Sequence, residues 1–357
     1  MDHVQPLNGP RHDKPSQDGP QSDKPRRPAL FWQRAGLRAG LAFGTAAGRP
    51  IEAAGQQMDP VMSALIRFVR KLPQGKGGAS PGPGGLRAFR AQYEAAPGLT
   101  GLHPDPEVAP RPVPDLPGAL EYAHGTPQGT LLYFHGGGFI MGSPATHDAL
   151  CRRLARLSGV RVINAPYRLA PEYPFPAAHD DAAAAWDWMR ANRPGPHLAG
   201  GDSAGANLAA GLPGAAMTLL IYPVVDMVSA EGAGEALYPS IGLFGEGFLL
   251  TAEGMEECAR LLVPAGADRA DPRLSPVRGA LGQAAPSLVV TAGFDPLRDQ
   301  GRAWVSALHE AGRPAWLLEE TGLVHGFADF AGVVPAARRA VERAAGELRA
   351  KVAGLAG

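Results

Sequence analysis

Ser203 stands inside Gly201-Asp202-Ser203-Ala204-Gly205, a serine with glycine two residues away on each side. That spacing permits a sharp strand-to-helix turn, which a side chain at either glycine would block. The turn lifts the hydroxyl clear of the backbone and aims it outward, where it can attack a carbonyl. The flanks suit such a turn. His197-Leu198-Ala199 is a short apolar run fit for a buried strand, and residues 204–210 are small and fit a helix packed tightly on a sheet. Gly, Ala and Ser are common in this chain, so the pattern alone is also compatible with an ordinary Gly/Ala-rich turn. A serine alcohol becomes a useful nucleophile only when a base takes its proton and donors stabilise the oxyanion.

Candidates for both requirements lie elsewhere in the chain. Thr130-Leu131-Leu132-Tyr133-Phe134 is a β-type apolar run, followed by His135-Gly136-Gly137-Gly138. Three glycines after a strand expose N–H groups with no side chain in the way. Two donors there, with the Ala204 N–H as a third, can converge on a negatively charged oxygen. A glycine hinge is the plainer alternative. A phosphate-binding loop is disfavoured because no Gly-Lys-Ser/Thr follows.

The acid and base are expected after the serine, in that order. Residues 286–294 read as a buried strand, and Asp295 follows at its C-terminal end, where open α/β sheets place their chemistry. Asp295 also suits a helix N-cap ahead of Pro296. The next strand covers 314–320, and the loop after it carries His325 beside Gly326. His309 falls in a helical stretch (302–312) and reads as a surface residue.

With these residues in place, the chain resembles the hormone-sensitive-lipase group of α/β-hydrolases, the bacterial class IV esterases. The resemblance rests on His135-Gly136-Gly137-Gly138, Gly201-Asp202-Ser203-Ala204-Gly205, Asp295-Pro296-Leu297-Arg298-Asp299 and His325-Gly326-Phe327. It is extended by Tyr167-Arg168-Leu169-Ala170-Pro171-Glu172, Pro174-Phe175-Pro176-Ala177-Ala178 and Ala270-Asp271-Pro272-Arg273-Leu274-Ser275-Pro276. It runs from about Met58 to the C-terminus. It implies catalytic Ser203, Asp295 and His325, and oxyanion donors Gly137, Gly138 and Ala204, with Gly136 as a substitute for one of the loop pair. It implies hydrolysis of short- to medium-chain acyl esters by a serine carboxylesterase, with no metal or organic cofactor. An amidase or lactonase with the same triad is one alternative. A ligand-binding or weakly active homologue is another; some relatives of the group lose catalysis by replacing the histidine, but His325 is retained. One stretch departs from the group. Pro213 and Gly214 end the helix after the serine early, where members of the group usually carry a longer helix and loop.

The elements that must position these groups alternate along the chain. Apolar runs near Leu131, Val162, Leu198, Leu219, Val289 and Trp316 alternate with helical stretches near Ala149, Ala182, Asn207, Trp304 and Ala337. The expected fold is α/β: an α/β-hydrolase with a mostly parallel central sheet, helices on both faces and a helical cap. The expected organisation is a disordered extension over 1–29, an N-terminal segment with cap helices over 30–110, and a catalytic domain over 111–357. A cap insertion is expected at about 226–280, containing a helix over 251–262 started by Thr251. Cap helices are expected at 61–70 and 86–96, with a Gly/Pro-rich linker over 76–85. Leu120 is expected to begin the sheet.

Composition narrows the remaining classes. The chain has 357 residues, 34 Lys+Arg against 34 Asp+Glu, and so no net charge to attract nucleic acid or an anionic membrane. Its two cysteines, Cys151 and Cys258, have no metal-ligand spacing and suggest no structural disulfide. The partner expected is a small-molecule ester; a homodimer is compatible with the sequence. Arg26-Arg27 precedes a moderately apolar stretch to Gly48, the shape of a twin-arginine export signal. Gln33, Arg34 and Arg38 interrupt it, so the cytoplasm is the expected location. No run is long and apolar enough to span a membrane. Met58-Asp59-Pro60 resembles a family start, so translation is expected to begin near Met58.

Overall fold

The structure is a computed structural model and describes residues 27–71, 85–228 and 234–355. The expected extension lies outside the described residues up to residue 26, and the expected linker does so up to residue 84. The first described element, α1 (Arg27–Ala47), is followed by a small hairpin of β1 (Glu52–Ala53) and β2 (Gln56–Gln57). Next come α2 (Pro60–Val69) and α3 (Leu86–Leu99). Asp59 starts α2 by accepting the Val61 and Met62 N–H groups at 2.9 and 3.0 Å, and Pro60 sits at the first helical position. The arginines that interrupt the apolar stretch of α1 are structural. Arg34 donates to the carbonyls of Pro97, Gly98 and Gly101, and Arg38 to that of Gly332.

The main sheet begins earlier than Leu120. Its first strand, β3 (Arg111–Pro112), is two residues long, too short to leave an apolar period. It is followed by β4 (Leu120–Tyr122), β5 (Thr130–Phe134), α4 (Asp148–Ser158), β6 (Arg161–Asn164), α5 (Ala177–Asn192), β7 (His197–Asp202), α6 (Ala204–Ala210) and β8 (Met217–Ile221). The chain between β8 and β9 (Ser287–Phe294) carries α7 (Gly234–Leu237), α8 (Ser240–Phe244) and α9 (Ala252–Leu262). Thr251 caps α9 through its hydroxyl, which accepts the Gly254 N–H at 3.0 Å. The chain closes with α10 (Arg298–Glu310), β10 (Ala315–Val324) and α11 (Pro335–Ala353).

Among the described residues the sheet has eight strands in the order β10-β9-β8-β7-β5-β6-β4-β3. Pairings from β10 through to β6 are parallel; β4 and β3 run antiparallel at the edge. Helices cover both faces, and the strands alternate accordingly. Leu131 and Tyr133 of β5 join a core built with α4 and α11, whereas Leu132 and Phe134 join one built with α5, α6 and α10. Register aligns the strand ends: Phe134 pairs with Gly201, Asp202 with Ile221, Ile221 with Val290, and Phe294 with Val324. The loops after β5, β7, β9 and β10 therefore open on one edge. No described helix is long and apolar enough to cross a membrane.

Candidate active site

The turn between β7 and α6 holds Ser203 at φ 52°, ψ −117°. A non-glycine residue there stores on the order of 1–3 kcal/mol of strain, which the surrounding packing must hold. The flanking glycines explain how it is held. A Cβ at Gly205 would overlap the Phe134 carbonyl, and one at Gly201 would overlap the Gly205 backbone. Only hydrogen at both places lets the turn close against β5.

Ser203 Oγ lies 3.0 Å from His325 Nε2, and His325 Nδ1 lies 2.9 Å from Asp295 Oδ2. The Asp295 side chain is fully buried and can only accept, so Nδ1 carries the ring proton. That leaves the Nε2 lone pair to accept from the serine O–H. Asp295 is not the N-cap of α10, a place that falls to Leu297, but it braces the turn just before that helix. Its Oδ1 accepts the Leu297 N–H at 2.7 Å, while Oδ2 faces His325. His309 lies exposed on α10 with Nε2 3.0 Å from the Ala315 carbonyl, away from this group.

The glycine loop after β5 faces the serine. Among the described residues, the N–H groups of Gly137, Gly138 and Ala204 donate to no protein acceptor. The Gly136 N–H is committed to Asp202 Oδ1 at 3.0 Å. Gly136 is therefore no substitute donor, because its hydrogen already serves the buried carboxylate. Gly137 and Gly138 have φ of 119° and 59°, which L side chains rarely adopt. A Cβ on Gly138 would come within 2.6 Å of Cys258 Sγ, so α9 packs directly against the loop. Burial pushes the Cys258 thiol up to about 12, which leaves it protonated. Cys151 is buried in the core and also free.

Sequence reasoning missed a polar network beneath the serine. Asp202, itself 2% exposed, accepts from Tyr133 at 2.9 Å and Tyr222 at 3.4 Å, and pairs with His147 Nε2 at 3.1 Å. Burial opposes both charges, but mutual attraction wins. It holds the Asp202 carboxyl below the ordinary range and the His147 imidazole above it. His135 is the opposite case. Burial and the neighbouring His147 charge push it down to about 3, and its neutral ring stacks on Tyr167 at 4.3 Å. The available signal was Asp202 itself, a charge at the end of an apolar strand. Nothing local marks His147 as its partner.

The same neighbourhood holds Asp329, in a short 3₁₀ turn (Phe327–Phe330) just past His325. Its Oδ2 accepts from Tyr93 of α3 at 3.3 Å. Burial pushes this carboxyl up to about 6; the Asp202 charge adds to the rise, while His147, Tyr93 and His325 oppose it.

The short α6 is tied to its surroundings by two side chains. Asn207 Nδ2 donates to the Val224 and Leu274 carbonyls at 3.1 and 2.9 Å, and Trp186 Nε1 donates to the Pro213 carbonyl at 2.9 Å. The helix is thus tied at its middle and just past its end. On the outer side, Arg90 of α3 donates to the Ile140 and Ala170 carbonyls at 2.6 and 2.8 Å, and its two NH groups meet Glu172 at 2.7 Å each.

A family model described as the α/β hydrolase fold matches residues 131–329. The carboxylic ester hydrolase LipN of Mycobacterium tuberculosis is 36% identical over 309 residues, covering 79% of this chain and 80% of that protein. The ethyl acetate hydrolase of Pseudomonas putida is 38% identical over 221 residues, 57% of this chain and 67% of its own. Among solved structures, a Pyrobaculum calidifontis esterase superposes with a TM-score of 0.68 at 31% identity, over 82% of this chain and 99% of its own.

Proposed function

Since this chain belongs to the α/β-hydrolase family, in its hormone-sensitive-lipase group of esterases, we propose that it hydrolyses carboxylic esters through Ser203, His325 and Asp295. The observation that carries this reading is the continuous relay from Ser203 Oγ through His325 to Asp295. His325 Nε2 takes the serine proton as Oγ attacks the ester carbonyl. Asp295 fixes the ring tautomer and stabilises the imidazolium that forms. The N–H groups of Gly137, Gly138 and Ala204 hold the oxyanion; each such donor is worth about 10²–10³ in rate. The alcohol leaves with the proton from His325. Water then adds to the acyl-enzyme with His325 again as base, and the acid departs.

Two finer readings accompany this. The acyl group is short to medium, because α2, α3 and α9 act as a cap. Arg90 and the contact of α9 with Gly138 draw that cap down onto the donor loop. The protein acts in the cytoplasm on small ester substrates, and a homodimer is compatible with this role.

Turnover of p-nitrophenyl acetate and butyrate, measured beside Ser203→Ala, tests the reading. Wild-type hydrolysis abolished by the substitution supports it. Equal near-background rates overturn it in favour of a binding role, and faster turnover of lactones or amides reassigns the substrate.

A further inference from the structure

Tyr222 packs against the proposed base and takes no part in the chemistry above. It is the first residue after β8 and is 1% exposed. Its backbone sits at φ 37°. A bulky residue at positive φ is an outlier, and such strain persists only where the surroundings hold it. Here the Tyr222 N–H donates to the Val290 carbonyl of β9 at 2.6 Å, and the Ile221 carbonyl accepts the Ser203 N–H at 2.9 Å. The strained residue is thus fixed to β9, and its chain neighbour to the nucleophile turn.

That backbone sets the ring beside His325, with the ring centroids 4.8 Å apart and the planes tilted by 58°. Phe327, two residues past His325 on the same loop, meets the Tyr222 ring at 5.1 Å and 82°. Both distances are those of contacting rings. The Tyr222 hydroxyl donates to Asp202 Oδ2 at 3.4 Å. His325 is otherwise held at its two nitrogens, by Asp295 and Ser203. Two hydrogen bonds fix a line and leave the ring free to rock about it; a contact off that line fixes the plane. The bond at Nε2 is also given up when that nitrogen turns its proton to the leaving alcohol, whereas the Tyr222 contact does not depend on that proton.

We infer that Tyr222 is a positioning residue: its ring sets the plane of the His325 imidazole, so that Nε2 points first at Ser203 Oγ and then at the leaving alcohol. The inference rests on the esterase reading above. Asp202 is the shared reference. Its Oδ2 takes the Tyr222 hydroxyl and its Oδ1 the Gly136 N–H, so one carboxylate locates both the ring behind the base and the donor loop. Tyr222 is too buried to meet substrate and acts through His325.

The test uses two esters with the same acyl group, ethyl butyrate and p-nitrophenyl butyrate. Ethanol leaves only with a proton from His325, whereas p-nitrophenolate leaves without one. Tyr222→Leu removes the ring, and its kcat/KM for ethyl butyrate should fall about tenfold, the upper scale of one aromatic pair contact. The loss on p-nitrophenyl butyrate should be smaller. Tyr222→Phe keeps the ring and should stay within about threefold of wild type on both esters, the scale of one weak neutral hydrogen bond. Rates are taken per active site, titrated with a p-nitrophenyl phosphonate. Wild-type rates in Tyr222→Leu, equal losses on the two esters, or Tyr222→Phe as slow as Tyr222→Leu would each overturn the positioning role and leave the esterase reading standing. Turnover of neither ester by the wild type overturns both. Should Tyr222→Leu fail to fold, Tyr222→Met, which keeps similar bulk without a ring, is read in its place.

Discussion

The Asp202 carboxylate accepts the Gly136 N–H at 3.0 Å, so the residue before the nucleophile also anchors the first glycine of the donor loop. One buried side chain thereby ties the Ser203 turn to the glycine loop proposed to receive the oxyanion. The arrangement explains why a charge is held beneath the serine. An apolar residue would leave Gly136, Tyr133 and His147 without their shared acceptor, and an amide would keep that oxygen but lose the charge opposite His147.

Asp202→Asn should cost up to about 3–5 kcal/mol at low pH, where His147 would be charged and buried without Asp202, and less at high pH, where the ring is neutral. The pH dependence should change sign. In the wild type His147 has a raised pKa, so its stabilisation is full below its unfolded value of 6.5 and is lost as pH climbs through the folded value. Asp202 has a lowered pKa, so its stabilisation is present above 3.8 and lost as pH falls through the folded value. In the variant, burial, which is the largest influence on His147 and favours its neutral form, is opposed only by the lesser pull of Asp329 and Glu94. Calorimetric Tm should therefore rise between pH 5 and 8 in the variant and fall or stay level in the wild type. Parallel curves would show that the pair carries no net charge interaction.

Asp295 separates catalysis from folding. Asp295→Asn keeps an oxygen for the Leu297 N–H but presents an amide to His325 Nδ1, reversing the tautomer. Its kcat should fall by about 10⁴ with little change in Tm. Asp295→Ala should lose the same activity and a further ~1 kcal/mol, because the turn before α10 loses its acceptor. Equal Tm for the two variants would remove the structural role.

The two glycine motifs should fail differently. At Gly205 the obstacle is the Phe134 carbonyl, which cannot move without breaking β5 from β7. Gly205→Ala should cost more than about 3 kcal/mol by the overpacking scale and yield little folded protein. At Gly138 the obstacle is the Cys258 side chain, leaving mainly the positive-φ penalty of about 1–2 kcal/mol. Gly138→Ala should fold and turn over slowly, and Cys258→Ala added to it should recover part of the rate. Solubility and kcat across the three variants check this.

Arg90 is expected to govern closure. Arg90→Met keeps the apolar stem of the side chain but loses the links to Ile140, Ala170 and Glu172. Each lost charged hydrogen bond to a carbonyl is worth about 1.5–3 kcal/mol at most. Glu172 is half exposed and adds little. KM should rise several-fold with kcat less affected, read from initial rates on p-nitrophenyl butyrate. A change in Tm with KM intact would confine Arg90 to a structural role.

The nucleophile turn, the glycine loop and the acid and base loops are legible in the sequence because each is a local device. Glycine spacing encodes a turn, an apolar run encodes a strand, and a titratable residue just beyond a strand end lands on one edge of a parallel sheet. Ser203, Asp295 and His325 could be named without knowing how the strands are ordered. The partners of those devices were another matter. That Asp202 meets His147, that the Gly136 hydrogen is already spent on Asp202, that Trp186 reaches the carbonyl just past the short helix, and that Tyr93 meets Asp329 are all outcomes of packing. They join residues with no spacing rule between them, brought together by strand order and by helices closing over both faces of the sheet. Charge pairing among buried groups depends on those distances, and distance is what a linear chain leaves open until it folds.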